Sequence, residues 1–164
     1  MQEARIQLLQ RMPLFGGIRD DVLTFFLDLS RNGLVSKGDF FFRENDQAES
    51  MFVLESGKVS VLKGWKGQEY VLRTLEKGDC FGEMALMDLF PRSASVRADE
   101  DCVAIEFPAA SLFRLYEKDL EQFAMIEMNM GREVSRRLRD ADARLFRAAM
   151  VTPDVAADYV FRST

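Results

Sequence analysis

Three patterns of hydrophobic and polar residues follow one another along the chain, and each predicts a different kind of structure. At the start, Ile6, Leu8, Leu9 and Met12 recur at helical spacing until Pro13 interrupts them, and Gly16-Gly17 marks a turn. A second helix is expected from Asp20 or Asp21, with Val22, Leu23, Phe25, Phe26 and Leu29 inside and Asn32-Gly33 as its end. From 34 to 107 the pattern changes to short β-branched and aromatic runs, at 40–42, 51–54, 59–62, 70–75, 95–98 and 103–107. Glycine turns separate them: Lys37-Gly38-Asp39, Glu55-Ser56-Gly57, Gly64-Trp65-Lys66-Gly67 and Lys77-Gly78-Asp79. Val59/Val61 and Val103/Ile105/Phe107 alternate with more polar neighbours, the period of a half-buried strand. Beyond Pro108 the helical pattern returns, short over 109–116 and long over 119–150, until Thr152-Pro153 stops it.

The fold expected is mainly β with flanking helices: a β-barrel jelly roll of about eight strands, N-terminal helices and a long C-terminal helix. Its parts are helices over 1–33, the barrel over 34–107, helices over 108–150 and a tail over 151–164. Val134, Leu138, Ala141, Leu145 and Ala148 form a heptad-like seam on the last helix. At ~1.5 Å per residue that helix could reach ~45 Å. It either lies on the barrel or pairs with its copy, and a homodimer through it is expected.

Composition narrows the function. The chain has 164 residues, 48% of them hydrophobic and 30% charged, which suits one domain with short extensions. Its net charge of −5 argues against a general nucleic-acid coat. No apolar run of about 18 residues suggests a membrane span, and Met1-Gln2-Glu3-Ala4-Arg5 does not open a secretory signal, so a cytoplasmic protein is expected. There are 0 histidines, which excludes Ser-His-Asp and Cys-His catalysis and His-ligated zinc or haem. The 2 cysteines, Cys80 and Cys102, fit no metal spacing. A non-catalytic protein without a metal is expected.

One stretch interrupts the strand pattern: Gly78-Asp79-Cys80-Phe81-Gly82-Glu83-Met84-Ala85-Leu86, followed by Pro91-Arg92-Ser93-Ala94-Ser95-Val96. Gly82 lets a ligand approach the backbone, and the free N–H groups of a turn starting near Met84 favour an anion. Arg92, behind Pro91, can give a phosphate oxygen a charge-assisted hydrogen bond, and Glu83 can accept from sugar hydroxyls. The alternative is that Glu83 and Arg92 simply pair across a loop.

This segment, 81–96, resembles the phosphate-binding cassette of the cyclic nucleotide-binding domain family. Lys37-Gly38-Asp39, the stretch from Met51 to Val59 and Lys77-Gly78-Asp79 fall in the family's order. The resemblance implies a module that binds cAMP or cGMP without catalysis. Glu83 would hold the ribose and Arg92 the cyclic phosphate, with Gly82, Met84, Ala85, Ser93 and Ala94 adding contacts. Leu72 and Arg73 would stand near the base, although Arg73 reads equally well as a solvent-facing strand residue. Asp142 on the long helix would be a further base contact or a solvated carboxylate.

The residues after Val151 are too few for a helix-turn-helix, so DNA binding is not expected of this chain. Arg132, Arg136, Arg137, Arg139, Arg144 and Arg147 are diluted by Glu133, Asp140 and Asp142 and read as a solvated helix face. The expected protein is a sensor whose helices answer ligand binding in a dimer or toward a protein partner. Two alternatives stand beside it: the effector part of a catabolite activator-like transcription regulator whose DNA-binding part is absent, and a barrel-type interaction domain with a degenerate pocket.

Overall fold

A computed structural model of the chain describes residues 2–151; Thr152-Pro153 and the rest of the expected tail lie outside the described residues. The order of elements is α1 (Gln2–Gln10), a 3-10 turn (Pro13–Phe15), α2 (Asp20–Asp28), β1 (Arg31–Val35), β2 (Phe40–Phe42), β3 (Ser50–Ser56), β4 (Val59–Trp65), β5 (Gln68–Leu75), β6 (Cys80–Phe81), α3 (Met84–Asp88), β7 (Ser95–Ala98), β8 (Cys102–Pro108), α4 (Ala109–Lys118) and α5 (Leu120–Val151). Among the described residues, eight strands form two four-stranded sheets, ordered β1-β8-β3-β6 and β2-β7-β4-β5. Every pairing is antiparallel. This is the expected β-barrel of jelly-roll type with flanking helices.

The core follows from the two-residue period. Alternate residues of β3 and β4 (Phe52, Leu54, Val59, Val61) meet Phe81 and Val96 in one buried cluster between the sheets. The intervening residues of β3, Met51 and Val53, are buried as well. Phe107, the cross-strand neighbour of Met51, explains this: it meets Phe15 and Phe26, each at 5.8 Å between ring centroids. The N-terminal helical segment therefore covers the outer side of one sheet. Both faces of β3 are apolar because both are covered.

Local differences from the sequence reading have local causes. The helix expected to run to Asn32-Gly33 ends at Asp28, and β1 runs through that dipeptide. Gly33 lies opposite Ala104, and a Cβ built on it would sit 3.6 Å from the Ala104 carbonyl oxygen and 3.7 Å from the Phe41 ring. These are ordinary van der Waals distances, so Gly33 is a plain strand position rather than a helix stop. The hairpin after β4 turns on Lys66 (φ 50°) and Gly67 (φ 78°), the backbone of a tight two-residue turn. Strand β4 therefore continues through Gly64 and Trp65, residues expected in the turn.

The chain divides into two compact units, Met1–Asn129 and Met130–Thr164. In the first, the start of α5 is stitched to the N-terminal helices. Arg19 Nη2 donates to Asp119 Oδ2 at 2.6 Å, and the Arg19 backbone N–H donates to Gln122 Oε1 at 2.8 Å. Asn129 Nδ2 donates to the carbonyls of Leu14 (3.1 Å) and Gly16 (2.8 Å). Asp119 also caps α5, accepting from the Gln122 N–H at 3.1 Å. The described part of the second unit is the rest of α5, where Glu133 accepts from Arg137 Nε one helical turn on, at 3.1 Å.

The Gln122 N–H, then the Arg19 guanidinium, hold the Asp119 carboxyl below the usual carboxylate range in the folded chain. The stability this contributes is present above the unfolded value and is lost as pH falls through the folded one. Asp119→Asn is therefore expected to lower the urea midpoint at pH 7, with the gap to wild type closing at about pH 3. Parallel urea titrations at the two pH values check this.

Candidate functional site

The segment between β6 and β7 passes from one sheet to the other. Strand β6 pairs with β3, while β7 pairs with β2 and β4. After Phe81 the backbone turns through Gly82 at φ 81°, and Glu83 (φ −66°, ψ −33°) begins the single turn α3. Leu89 at φ 58° closes that turn in the left-handed region, and the Phe90 N–H donates to Asp88 Oδ1 at 3.0 Å. The chain then returns through Pro91 and Arg92 to Ser95.

Arg92 is the centre of the arrangement. It is 5% exposed, and its Nη1 and Nη2 donate to the carbonyls of Gly82 (3.0 Å) and Ser50 (2.6 Å). Its guanidinium carbon sits 4.0 Å from the centre of the Phe42 ring. Its Nε is buried without a hydrogen-bond partner. Among the described residues no carboxylate forms an ion pair with it. Burial pushes its pKa down, opposed by the more distant charges of Asp46, Glu106 and Glu83. The Arg92 backbone is held as firmly: its N–H donates to Asp46 O at 2.9 Å and its carbonyl accepts from the Asn45 N–H at 2.8 Å.

Glu83 is 1% exposed, so two groups of opposite charge are buried at one site. The loop pair considered from sequence is not the arrangement formed, because the Arg92 hydrogen bonds go to backbone carbonyls. Both residues line a cleft of about 110 Å³ together with Gly82, Met84, Ser93 and Ala94. Ala85 follows Met84 in α3.

The pair expected near the base separates. Arg73 lies opposite Val61 and Val71 opposite Leu62, so Leu72 is the extra residue of a bulge. Arg73 and Val61 line the cleft; Leu72 does not line it and is 53% exposed. Asp142 lies exposed on α5 in the second unit. Sequence reasoning missed Phe42, the carbonyl of Ser50, and Asp88 and Phe90 on the cleft wall. The run Phe40-Phe41-Phe42 was a visible signal, since three consecutive aromatics cannot all enter one core. The Ser50 carbonyl had none, because backbone acceptors carry no side-chain signature.

Comparison with known proteins agrees with this geometry. Residues 34–119 match the family model described as "Cyclic nucleotide-binding domain". The chain belongs to this family. The cyclic AMP receptor protein of Thermus thermophilus is 31% identical over 138 residues, covering 81% of this chain and 60% of that protein. Human cGMP-dependent protein kinase 2 is 36% identical over 98 residues, covering 58% of this chain and 13% of the kinase. The chain thus spans a minor part of the kinase and under two thirds of the receptor protein. Among solved structures, the Thermus thermophilus catabolite activator protein superposes with TM-score 0.74 at 30% identity, covering 84% of this chain and 63% of that one. The regulatory domain of Toxoplasma gondii PKA, crystallised with cAMP, superposes with TM-score 0.66 at 25% identity, covering 69% and 43%. Among the described residues no group of three or more Cys, Asp or Glu side chains is placed to hold a metal ion.

Gly82 is the most constrained backbone position of the site. A Cβ there would lie 2.6 Å from Arg92 Nη1, and the backbone at φ 81° disfavours any side chain. Gly82→Ala is expected to destabilise the protein by about 1–3 kcal/mol. Chemical denaturation of the variant beside wild type measures the difference.

Proposed function

We propose that this chain is a non-catalytic cyclic nucleotide sensor, with Arg92 taking the cyclic phosphate and Glu83 the ribose. The observation that carries the reading is the Arg92 guanidinium, buried beside a cleft with its Nε unsatisfied and, among the described residues, no carboxylate in an ion pair with it. A buried cation that no carboxylate contacts directly is costly even with Asp46, Glu106 and Glu83 at a distance, and an anion entering the cleft would offer it a direct partner. Glu83 is acceptor-rich, as a ligand offering hydroxyls next to that anion requires. A cyclic nucleotide presents both groups at once. Gly82, Met84, Ala85, Ser93 and Ala94 would complete the cradle, with Arg73 toward the base.

Relatives named for cAMP and for cGMP both occur. Of the two we favour cAMP, and the longer alignment with the cyclic AMP receptor protein, over 81% of this chain against 58% for the cGMP-dependent kinase, supports that choice although the kinase is the more identical, 36% against 31%. Signalling would run through the helices. Leu138 of the heptad-like seam is 60% exposed, and Ala141 and Ala148 of the same seam are exposed as well, a stripe suited to pairing with a second copy. No described helix is long and apolar enough to cross a membrane. The partial span of the Thermus receptor protein supports a second reading, the effector part of a transcription regulator. A reading frame that continues into a DNA-binding segment would establish it.

Calorimetric titration with cAMP and cGMP, after stripping co-purified nucleotide, tests the reading. One nucleotide is expected to bind, and Arg92→Ala to weaken it by about 100-fold, the order set by losing a charge-assisted contact. Absence of binding to folded wild-type protein would reject the sensor function.

A further inference from the structure

An ionic pair outside the cleft braces the turn that carries Arg92. The pairing of β4 with β7 ends at Leu62 opposite Ser95. The next residue, Lys63, reaches beyond that end, and its Nζ donates to the Ser93 carbonyl at 2.7 Å and to Glu44 Oε1. Glu44 Oε2 accepts from the Gly64 N–H at 3.2 Å, and the Glu44 N–H donates to Ser95 Oγ at 2.8 Å. Immediately after Glu44, Asn45 and Asp46 make the two backbone bonds to Arg92 already described. Four side-chain-mediated bonds therefore tie β4, the loop after β2 and the start of β7 around the Arg92-Ser93 peptide. Neither Lys63 nor Glu44 lines the cleft.

We propose that Lys63 and Glu44 are positioning residues for the anion half of the site, a clip that holds the Arg92-Ser93 turn in its binding geometry. The inference rests on the sensor reading above. The Lys63 side chain is 47% exposed and that of Glu44 24%, and exposed ion pairs contribute little to global stability. What the pair fixes is local. The Lys63 ammonium, then the Gly64 N–H, hold the Glu44 carboxyl below the usual range, consistent with a bond made in the folded chain. The Ser93 carbonyl belongs to the Ser93-Ala94 peptide, directly after the Arg92 carbonyl that Asn45 holds, so releasing it removes one of the bonds that fix the turn carrying Arg92 and Ser93. A small displacement of a ligand-holding group costs affinity out of proportion to its cost in stability.

The test compares wild type with Lys63→Met, Glu44→Gln and Lys63→Arg. Affinity for cAMP and cGMP is read by calorimetry, amide exchange of the 91–96 segment is followed without nucleotide, and denaturation midpoints are recorded alongside. Lys63→Met and Glu44→Gln are expected to weaken the preferred nucleotide by roughly tenfold, the lower end of what outer-shell partners of a bound ion supply. They should speed exchange over 91–96 while leaving the denaturation midpoint near wild type, and Lys63→Arg should restore affinity. Unchanged affinity in Lys63→Met overturns the clip and leaves the sensor reading standing. Affinity lost only in step with the denaturation midpoint marks a merely structural pair and overturns it too. A wild-type protein that binds neither nucleotide overturns the sensor reading and this inference with it.

Discussion

The buried guanidinium of Arg92 is the constraint on which the rest of the site depends, because a charge removed from water must be accommodated by every group around it. The desolvation penalty of such an ion is several kcal/mol. Two carbonyls, from Gly82 and Ser50, and the face of Phe42 offset part of it. Each accommodation imposes a condition on the chain. A side chain at Gly82 would displace Arg92 Nη1, the Phe42 ring packs on the core beside Phe52 and Phe81 while also meeting the guanidinium, and β3 begins at Ser50, whose carbonyl is in reach. The Nε remains unsatisfied, so the accommodation is incomplete without another acceptor. Cores tolerate apolar replacement of buried ions without loss of stability. Stability alone therefore gives no reason to keep a charge here, and an anionic ligand does.

The jelly roll makes this site possible by connecting sheets rather than strands. Residues 82–94 leave one sheet after β6 and enter the other at β7, so the segment has one end anchored in each. Arg92 reaches back from the second end to Gly82 and Ser50 at the first. The loop is thus closed on itself by a side chain, and the cleft is the space it encloses. The loop after β2 supplies the backbone bonds on the far side of Arg92, which makes its Glu44-Asn45-Asp46 run part of the site although it touches no ligand-facing surface.

How much of this was legible in the sequence depended on the physical form of each signal. The runs at 59–62, 95–98 and 103–107 correspond to β4, β7 and β8 because alternation over four or more residues is a strong signal. Strand β6 has two residues and no periodicity to read, and β1 was hidden behind Asn32-Gly33, a dipeptide that reads as a stop although the strand runs through it. The sequence singled out Glu83 and Arg92 by type and spacing around glycines, but their burial is visible only in the fold. Leu72 and Arg73 were not separable, because a bulge that shifts the register by one residue is a property of the β4–β5 pairing rather than of either strand. The supports of Arg92 were the least legible. A carbonyl from β3 has no residue signature, and Lys63 and Glu44 look like ordinary surface charges until the turn before β7 brings the Ser93 carbonyl to Lys63.

The same distinction between residue signals and placement bears on how binding could be communicated. A ligand shifts an equilibrium only by its differential affinity for two arrangements. Within the first unit, the start of α5 is tied to the N-terminal helical segment through Arg19, Asp119, Gln122 and Asn129, with hydrogen bonds that reach across 100 or more positions of sequence. The N-terminal segment is in turn packed on the sheet through Phe15, Phe26 and Phe107. Strand β8, which carries Phe107, pairs with β3, whose first residue supplies the Ser50 carbonyl to Arg92. An anion that drew the Arg92 guanidinium away from Ser50 would therefore act on the first residue of β3, opposite Pro108, where β8 passes into α4. The Ser50–Pro108 pairing is thus where the strand that supplies a carbonyl to Arg92 meets the end of β8 from which α4 departs.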